Sequence, residues 1–337
     1  MGISRRSFMM MGAAAAVVPS VRGAEKAEAR TRVALGGPLG KEGSALLKKV
    51  KFTPLEIAVG AETPFKAIHC SDTHLNLMDV SDLIGAKVEQ DLAMYEGRRT
   101  QHNPIAPFAA CVLKARLLKA PLLHTGDVWD YHSSGNYAVA KDAFDAAGDA
   151  FYAMGNHEIK GHWAKIPGLS VPATRAEMAP YLPNDSRYAA RVIHGVQFVS
   201  FDNTASGFDL ADEQFAFVKR AFEKGLPTVL MMHLPFHTPE LERDILEGTG
   251  PFKEKYDERR AKGKMKEPPA KKDLPGIVYG LRPKERRLRD YVLARKNLKA
   301  VLCGHVHVEA QYRLTDTVTQ YVAGAGMKGQ AYEISFT

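Results

Sequence analysis

The chain reads as a layered α/β domain, on three observations. Six short apolar runs recur between residues 65 and 307: FKAIHCSDTH, PLLHTGDVWD, FYAMGNHE, VQFVSFDN, TVLMMHLPFH and AVLCGHVH. Each ends in a polar cluster of Gly, Asp, Asn or His, the pattern of a buried strand whose carboxyl end opens into a loop. Between several of them lie amphipathic stretches with helical period, at 105–119, 137–147 and 212–224. Strands alternating with helices indicate sheets covered by helices rather than a bundle or an all-β fold.

Along the chain, residues 1–29 stand apart. SRRSFMM places twin arginines before an uncharged stretch from Ser7 through Val21, with small residues at Gly23, Ala24, Ala27 and Ala29. This resembles a twin-arginine export signal, and the uncharged stretch is shorter than the roughly 18–20 residues a bilayer span requires. The expected destination is the periplasm or the exterior, with the export machinery as partner and no membrane attachment after cleavage. Residues 30–60 form an N-terminal segment with glycine punctuation (LGGPLGKEG) and no usable motif. The domain proper is expected over 61–337, with insertions at about 75–103, polar and partly helical, and about 240–283, which holds KGKMKEPPAKK. Residues 308–321 (VEAQYRLTDTVTQY) alternate polar and apolar and read as a hairpin closing one sheet.

Bulk properties narrow the function. The chain has 337 residues, 45% of them hydrophobic, enough for a large core. Its formal charge of +8 overstates its basicity, because removal of Arg5, Arg6 and Arg22 leaves 43 basic against 38 acidic side chains. The stretch 253–272 alone holds nine Lys or Arg against four Asp or Glu. The remainder is near neutral, which argues against a protein built around nucleic acid. That basic stretch reads as a solvated charged insertion, or more sharply as a mobile flap steering an anion inward. Three cysteines, Cys70, Cys111 and Cys303, form no disulfide framework; Cys70 and Cys303 read as small packing residues, with a bridge between them the less favoured alternative.

The strand ends concentrate metal-binding side chains. They present Asp72 and His74; Gly126-Asp127 with Asp130; Gly155-Asn156-His157-Glu158; His233; and Gly304-His305-Val306-His307. In an extended strand residues i and i+2 share a face, so Asp72 and His74 aim at one spot. Each piece alone has a structural reading, as a turn or a satisfied histidine. Five pieces, each at a strand end, point to one centre.

The run SDTH, GDVWD, GNHE, MMH and GHVH resembles the signature of the calcineurin-like metallophosphoesterases, over 72–307. The resemblance implies a β-sandwich flanked by α-helices, with a binuclear metal site at the strand ends. It implies that Asp72, His74 and His307 hold one divalent ion, that Asn156, His233 and His305 hold the other, and that Asp127 bridges both. It makes His157 the histidine that touches the phosphoryl oxygen or protonates the leaving group, oriented by Asp130. Glu158 is read as a supporting carboxylate rather than a ligand.

The residue types suit that chemistry. Two divalent ions bring four positive charges, two aspartates and a bridging hydroxide return three, and a net charge of about +1 favours an anionic phosphoester. Two such ions clamp the attacking and leaving oxygens of an in-line displacement while acidifying the bridging water, the expected nucleophile. Manganese, iron or zinc fits the mixed N/O donors, and export of an already folded protein would let manganese or iron be loaded first. Tyr131 after Asp130 and Leu234-Pro235 after His233 depart from the protein serine/threonine phosphatase pattern and disfavour that branch. The motifs look closer to bacterial phosphodiesterases and phosphohydrolases, without choosing between diester and monoester.

Three rivals fit less of the sequence. A noncatalytic phospho-ligand-binding member of the fold would be expected to have lost ligands, and every expected position is filled. Amidohydrolase or β-lactamase-like enzymes place a His-x-His early, whereas here it comes last. A nuclease rests on the basic stretch alone. Of the other histidines, His69 and His124 read as core residues. His237 reads equally as a solvated loop residue or a substrate contact. Trp129, Tyr131 and His132 read as packing.

Overall fold

The structure is a computed structural model and describes residues 41–77, 103–159, 170–204, 211–263 and 267–337. The export signal and most of the 75–103 stretch lie outside the described residues.

Two sheets form the centre. The first contains β1 (Lys51–Ile57), β2 (Phe65–Cys70), β3 (Leu122–His124), β4 (Ala150–Tyr152) and β11 (Gln330–Phe336), in the order β1-β11-β2-β3-β4. The second contains β5 (Tyr188–Ile193), β6 (Val196–Phe201), β7 (Thr228–Met231), β8 (Leu298–Cys303), β9 (Ala310–Arg313) and β10 (Thr319–Val322), in the order β5-β6-β7-β8-β10-β9. Strands β2, β3 and β4 run parallel, as do β6, β7 and β8. The hairpin expected at 308–321 is the antiparallel pair β9–β10 at the edge of the second sheet.

The period of two along these strands builds three cores. Ala67, Leu123, Phe151, Phe198, Val229, Met231, Ala300 and Leu302 point between the sheets and form one contiguous cluster. Their neighbours Ile68 and Leu122 face outward, onto helices α2 (Ile105–Leu118) and α3 (Ser134–Ala147). On the other side Val199, Leu230 and Val301 face α5 (Ala211–Phe222), α6 (Pro239–Glu247), α7 (Phe252–Ala261) and α8 (Pro283–Leu293). Helix α1 (Lys41–Leu47) and helix α4 (Val171–Met178) complete the helical layers. The β-sandwich flanked by helices expected from the sequence is therefore found. Strands buried on both faces carry nearly unbroken apolar runs, as parallel strands covered on both sides must. Among the described residues no helix is long and apolar enough to cross a membrane.

Two segments sit differently from their first reading. Strand β1 lies in the 30–60 stretch yet pairs along its length with β11. Its Pro54 and alternating exposure fit the sheet edge it occupies, and hide it from a search for buried runs. Within 240–283, Leu241, Ile245, Phe252, Tyr256, Leu274 and Val278 are buried in the outer core of the second sheet. The lysines of that stretch dominated its composition, while one apolar residue per helical turn was enough to dock it. The cysteines are free and buried; Cys70 lies in the first outer core and Cys303 in the second, so they are not joined.

The docking of α7 is testable. Phe252→Ala should cost about 3–5 kcal/mol in urea unfolding, as truncation of a fully buried ring does, while exposed Lys253→Ala should stay within about 0.5 kcal/mol. Two silent substitutions would mean that α7 is a solvated appendage.

Candidate metal centre

The loops that follow β2, β3, β4, β7 and β8 converge at one end of the sandwich, where the carboxyl ends of parallel strands gather. The first two run side by side: Asp72 N–H donates to Gly126 O at 2.9 Å, His74 N–H to Asp127 O at 2.9 Å and Leu75 N–H to Val128 O at 2.8 Å. Gly155 lies so close that a Cβ there would sit 2.0 Å from Asp127 N, and a Cβ on Gly304 would sit 1.9 Å from Ser71 Oγ. The Gly-Asn and Gly-His dipeptides are thus set by the passage of one ligand loop against another. Asp72, His74, Asp127, His305 and His307 all adopt left-handed backbone, with φ between 46° and 70°. L-residues avoid that region unless the surroundings impose it, and such strain gathers at functional sites.

The side chains meet in two groups that share Asp127. On one side His307 Nε2 is 3.0 Å from Asp72 Oδ1 and 3.0 Å from His74 Nε2, while His74 Nε2 is 3.6 Å from Asp127 Oδ2. On the other, His233 Nε2 is 3.2 Å from both Asp127 Oδ2 and His305 Nδ1. The ligand atoms of Asp72, His74, Asp127 and His307 lie within 4.8 Å of one another, as do those of Asp127, His233 and His305. Asn156 follows the tightly packed Gly155, and its Oδ1 is buried without a hydrogen-bond partner.

Each imidazole is oriented through its other nitrogen. His233 Nδ1 is 2.7 Å from Thr125 O, and His305 Nε2 is 3.1 Å from Gly276 O. A carbonyl only accepts, so these nitrogens carry protons, and His233 Nε2 and His305 Nδ1 are the atoms that aim a lone pair inward once unprotonated. His74 Nδ1 lies 3.4 Å from Asp130 Oδ1, which leaves its Nε2 for the centre. Imidazole nitrogens facing each other at about 3 Å, beside an orphaned amide oxygen and two buried carboxylates, fit divalent ions.

Charge follows the same geometry. Burial works against ionisation of Asp127, yet His233 and His157 hold its carboxyl well below the usual range. Burial likewise opposes Asp72, and His307 holds it low. Burial opposes the charged form of His233, but Asp127 pushes it up to about 10. His305, buried and repelled by His233, falls to about 3. Burial raises Glu158 to about 8, with Asp127 adding to the shift.

His157 Nδ1 is 3.1 Å from Asp130 Oδ1, and its Nε2 is 3.9 Å from Asp127 Oδ2. Glu158 accepts the N–H groups of Asp127 at 3.1 Å and Val128 at 2.5 Å, so it holds the loop of the shared carboxylate. His69 and His124 are buried core residues bonded to Thr125 and Thr73. His237 is paired with Glu242 at 2.5 Å. Trp129 and Tyr131 are buried, and His132 bonds Tyr137.

Three contributors, and a second role for Asp130, escaped the sequence reading. Asn203 Oδ1 accepts the N–H groups of His233 and Leu234 at 3.0 and 3.1 Å; it stands at the end of VQFVSFDN, a strand end with the same signal as the others. Asp130 serves His74 as well as His157. Gly276 and Thr125 act through backbone carbonyls, which no residue type announces.

Because His233 Nε2 must shed a proton held up to about pH 10 before it can ligate, metal and proton compete. Manganese affinity should rise between about pH 6 and pH 8, by up to about tenfold per pH unit, with proton release in calorimetry across buffers of different ionisation enthalpy. A pH-independent affinity without proton release would exclude His233 as a ligand.

The family model of the calcineurin-like phosphoesterases matches residues 65–309. Among solved structures, a dimetal phosphatase from Danio rerio aligns at a TM-score of 0.44 and 11% identity, over 78% of this chain and 88% of its own. A purple acid phosphatase from yellow lupin seeds aligns at 0.41 and 12%, over 81% of this chain and 45% of its own. The phosphopantetheinyl hydrolase of Mycobacterium tuberculosis aligns at 0.38 and 13%, over 78% and 90%. No curated protein matches. With more than half of its length matched, and with the family's motifs gathered at the strand ends of a two-sheet sandwich, the chain belongs to the calcineurin-like phosphoesterase family.

Proposed function

We propose that the protein is an exported, metal-dependent phosphoesterase that hydrolyses phosphoester bonds at the Asp127 centre. The observation that carries this reading is the pair of donor groups sharing one carboxylate, with His157 held beside them by Asp130. Asp72, His74 and His307 would hold one divalent ion, Asn156, His233 and His305 the other, and Asp127 both. Bound there, two such ions supply Lewis acidity toward a phosphoryl oxygen and lower the pKa of an attacking water. Manganese or iron is the preferred pair, since loading before export avoids competition from copper and zinc.

The chain's own residues do the rest. Asp130 fixes the His157 ring through Nδ1, leaving Nε2 toward the centre. Burial opposes the imidazolium, but Asp127 and then Asp130 raise it to about 9, and the Asp130 carboxylate beside Nδ1 favours the protonated ring independently of Asp127. That proton can pass to a leaving alkoxide, and the charge attracts the phosphoryl group beforehand. Glu158 and Asn203 carry no reacting atom; they hold the Asp127 and His233 loops. These features favour hydrolysis over simple phospho-ligand binding, which would not require an oriented proton donor.

Metal-reconstituted protein should hydrolyse p-nitrophenyl phosphate, bis-p-nitrophenyl phosphate or both. His157→Gln should lower kcat by about 10²–10⁴ with metal content unchanged, whereas Asp127→Asn should lose metal and activity together. Full activity in either variant would overturn the assignment.

Export is supported by the residue pattern of 1–29 alone, which lies outside the described residues. The paired change Arg5→Lys with Arg6→Lys should retain the protein in the cytoplasm, read by cell fractionation. Unchanged distribution would remove the export reading.

A further inference from the structure

Residues 324–330 (GAGMKGQ) lie beyond the stretch 65–309 that the family model matches and beyond the last ligand motif, at 304–307. They carry the chain from one sheet to the other. Strand β10 runs parallel to β8 in the second sheet, so its carboxyl end reaches the end of the sandwich where the ligand loops gather. Strand β11 runs antiparallel to β2 in the first sheet, so it starts at that same end. Between them is a single turn of 3-10 helix, Gly326–Lys328, which passes against the loop that carries Asp72.

Two consecutive N–H groups of the turn meet two consecutive carbonyls of that loop. Gly326 N–H donates to Ser71 O at 2.8 Å, and Met327 N–H to Asp72 O at 3.0 Å. Ser71 and Asp72 are fully buried, so their carbonyls need donors from the protein. These carbonyls belong to the peptide groups on either side of the Asp72 Cα, and peptide groups are planar, so gripping both fixes φ and ψ of Asp72 in its left-handed conformation, φ 54°. The carboxylate is aimed by that backbone, with Oδ1 3.0 Å from His307 Nε2 and Oδ2 accepting His305 N–H at 2.9 Å. The approach requires glycine, because a Cβ on Gly326 would sit 2.5 Å from Ser71 O. One side chain keeps the turn in shape: Gln330 Oε1 accepts Ala325 N–H at 3.0 Å, while Gln330 N–H donates to Ala325 O at 3.3 Å. Gly324 makes room for it, since a Cβ there would sit 2.6 Å from Gln330 Oε1.

Resting on the reading of Asp72 as a metal ligand, we propose that Gln330 is a positioning residue of the metal centre: it fixes the 324–330 turn, whose two N–H groups set the backbone of Asp72 and so the affinity of the Asp72–His74–His307 group for its ion. Gln330 reaches no ligand atom itself. It acts through the turn, as outer partners that orient a ligand do, and such partners typically change metal affinity by about 10- to 100-fold.

The test titrates manganese into metal-free wild type, Gln330→Ala and Gln330→Glu by calorimetry, and locates any loss by anomalous scattering from crystals grown at limiting manganese. Gln330→Ala should bind one ion about tenfold more weakly than wild type. The peak among Asp72, His74 and His307 should lose more occupancy than the peak among Asn156, His233 and His305. Gln330→Glu, whose carboxylate still accepts the Ala325 N–H, should restore most of the affinity. If Gln330 only braced the fold, Gln330→Ala would lower the urea midpoint of the metal-free protein and leave both metal affinities at their wild-type values, which would overturn the proposal. Equal loss at both ions, or no recovery in Gln330→Glu, would overturn it as well. Wild type that binds no manganese would instead overturn the reading of Asp72 as a ligand, and this inference with it.

Discussion

The carboxylate of Asp127 is almost wholly buried, ionised, and 3.2–3.9 Å from nitrogens of His233, His74 and His157. An isolated buried carboxylate would take up a proton; this one cannot cheaply do so, because imidazoles surround it and the N–H of His157 donates to its Oδ1 at 2.9 Å. Those imidazoles come from both sheets. Keeping Asp127 charged therefore requires the strand ends of β2, β3, β4 and β7 to be held in one relative position, and the sandwich exists in that form around this requirement.

The inner core supplies the rigidity. Val229, Met231, Ala300 and Leu302 pack against Ala67, Leu123 and Phe151 directly behind the ligand loops. A close-packed interior transmits strain rather than absorbing it, so the loops can keep ligand residues in left-handed backbone. Five such residues, at roughly 1–2 kcal/mol each, amount to a substantial local cost. The loop-to-loop hydrogen bonds and the Glu158 and Asn203 side chains offset it by satisfying the backbone groups that the irregular path exposes.

Much of this was legible in the sequence because each candidate ligand lies at the end of a buried strand. Asp72, Asp127, Asn156, His233 and His305 each follow an apolar run, and glycine marks three of the loops where another loop crosses. The flanking layers were legible where a helix was strongly periodic, as over 212–224. What stayed hidden has no residue signature of its own. The edge strand β1 is half-exposed and holds a proline. Helix α7 has two buried aromatic residues among ten that are otherwise mostly charged. Carbonyls such as those of Thr125 and Gly276 act through position alone. The insertion expected at about 240–283 supplies the Gly276 carbonyl that holds His305.

The central claim is that Asp127 is shared between two ions. The most direct measurement is a crystal structure of manganese-loaded protein with anomalous scattering recorded at the metal edge. The account predicts two peaks about 3.5–4 Å apart, one among Asp72, His74 and His307, the other among Asn156, His233 and His305, with an Asp127 oxygen in ligand range of both. A single peak, or two with Asp127 bound to neither, would contradict it.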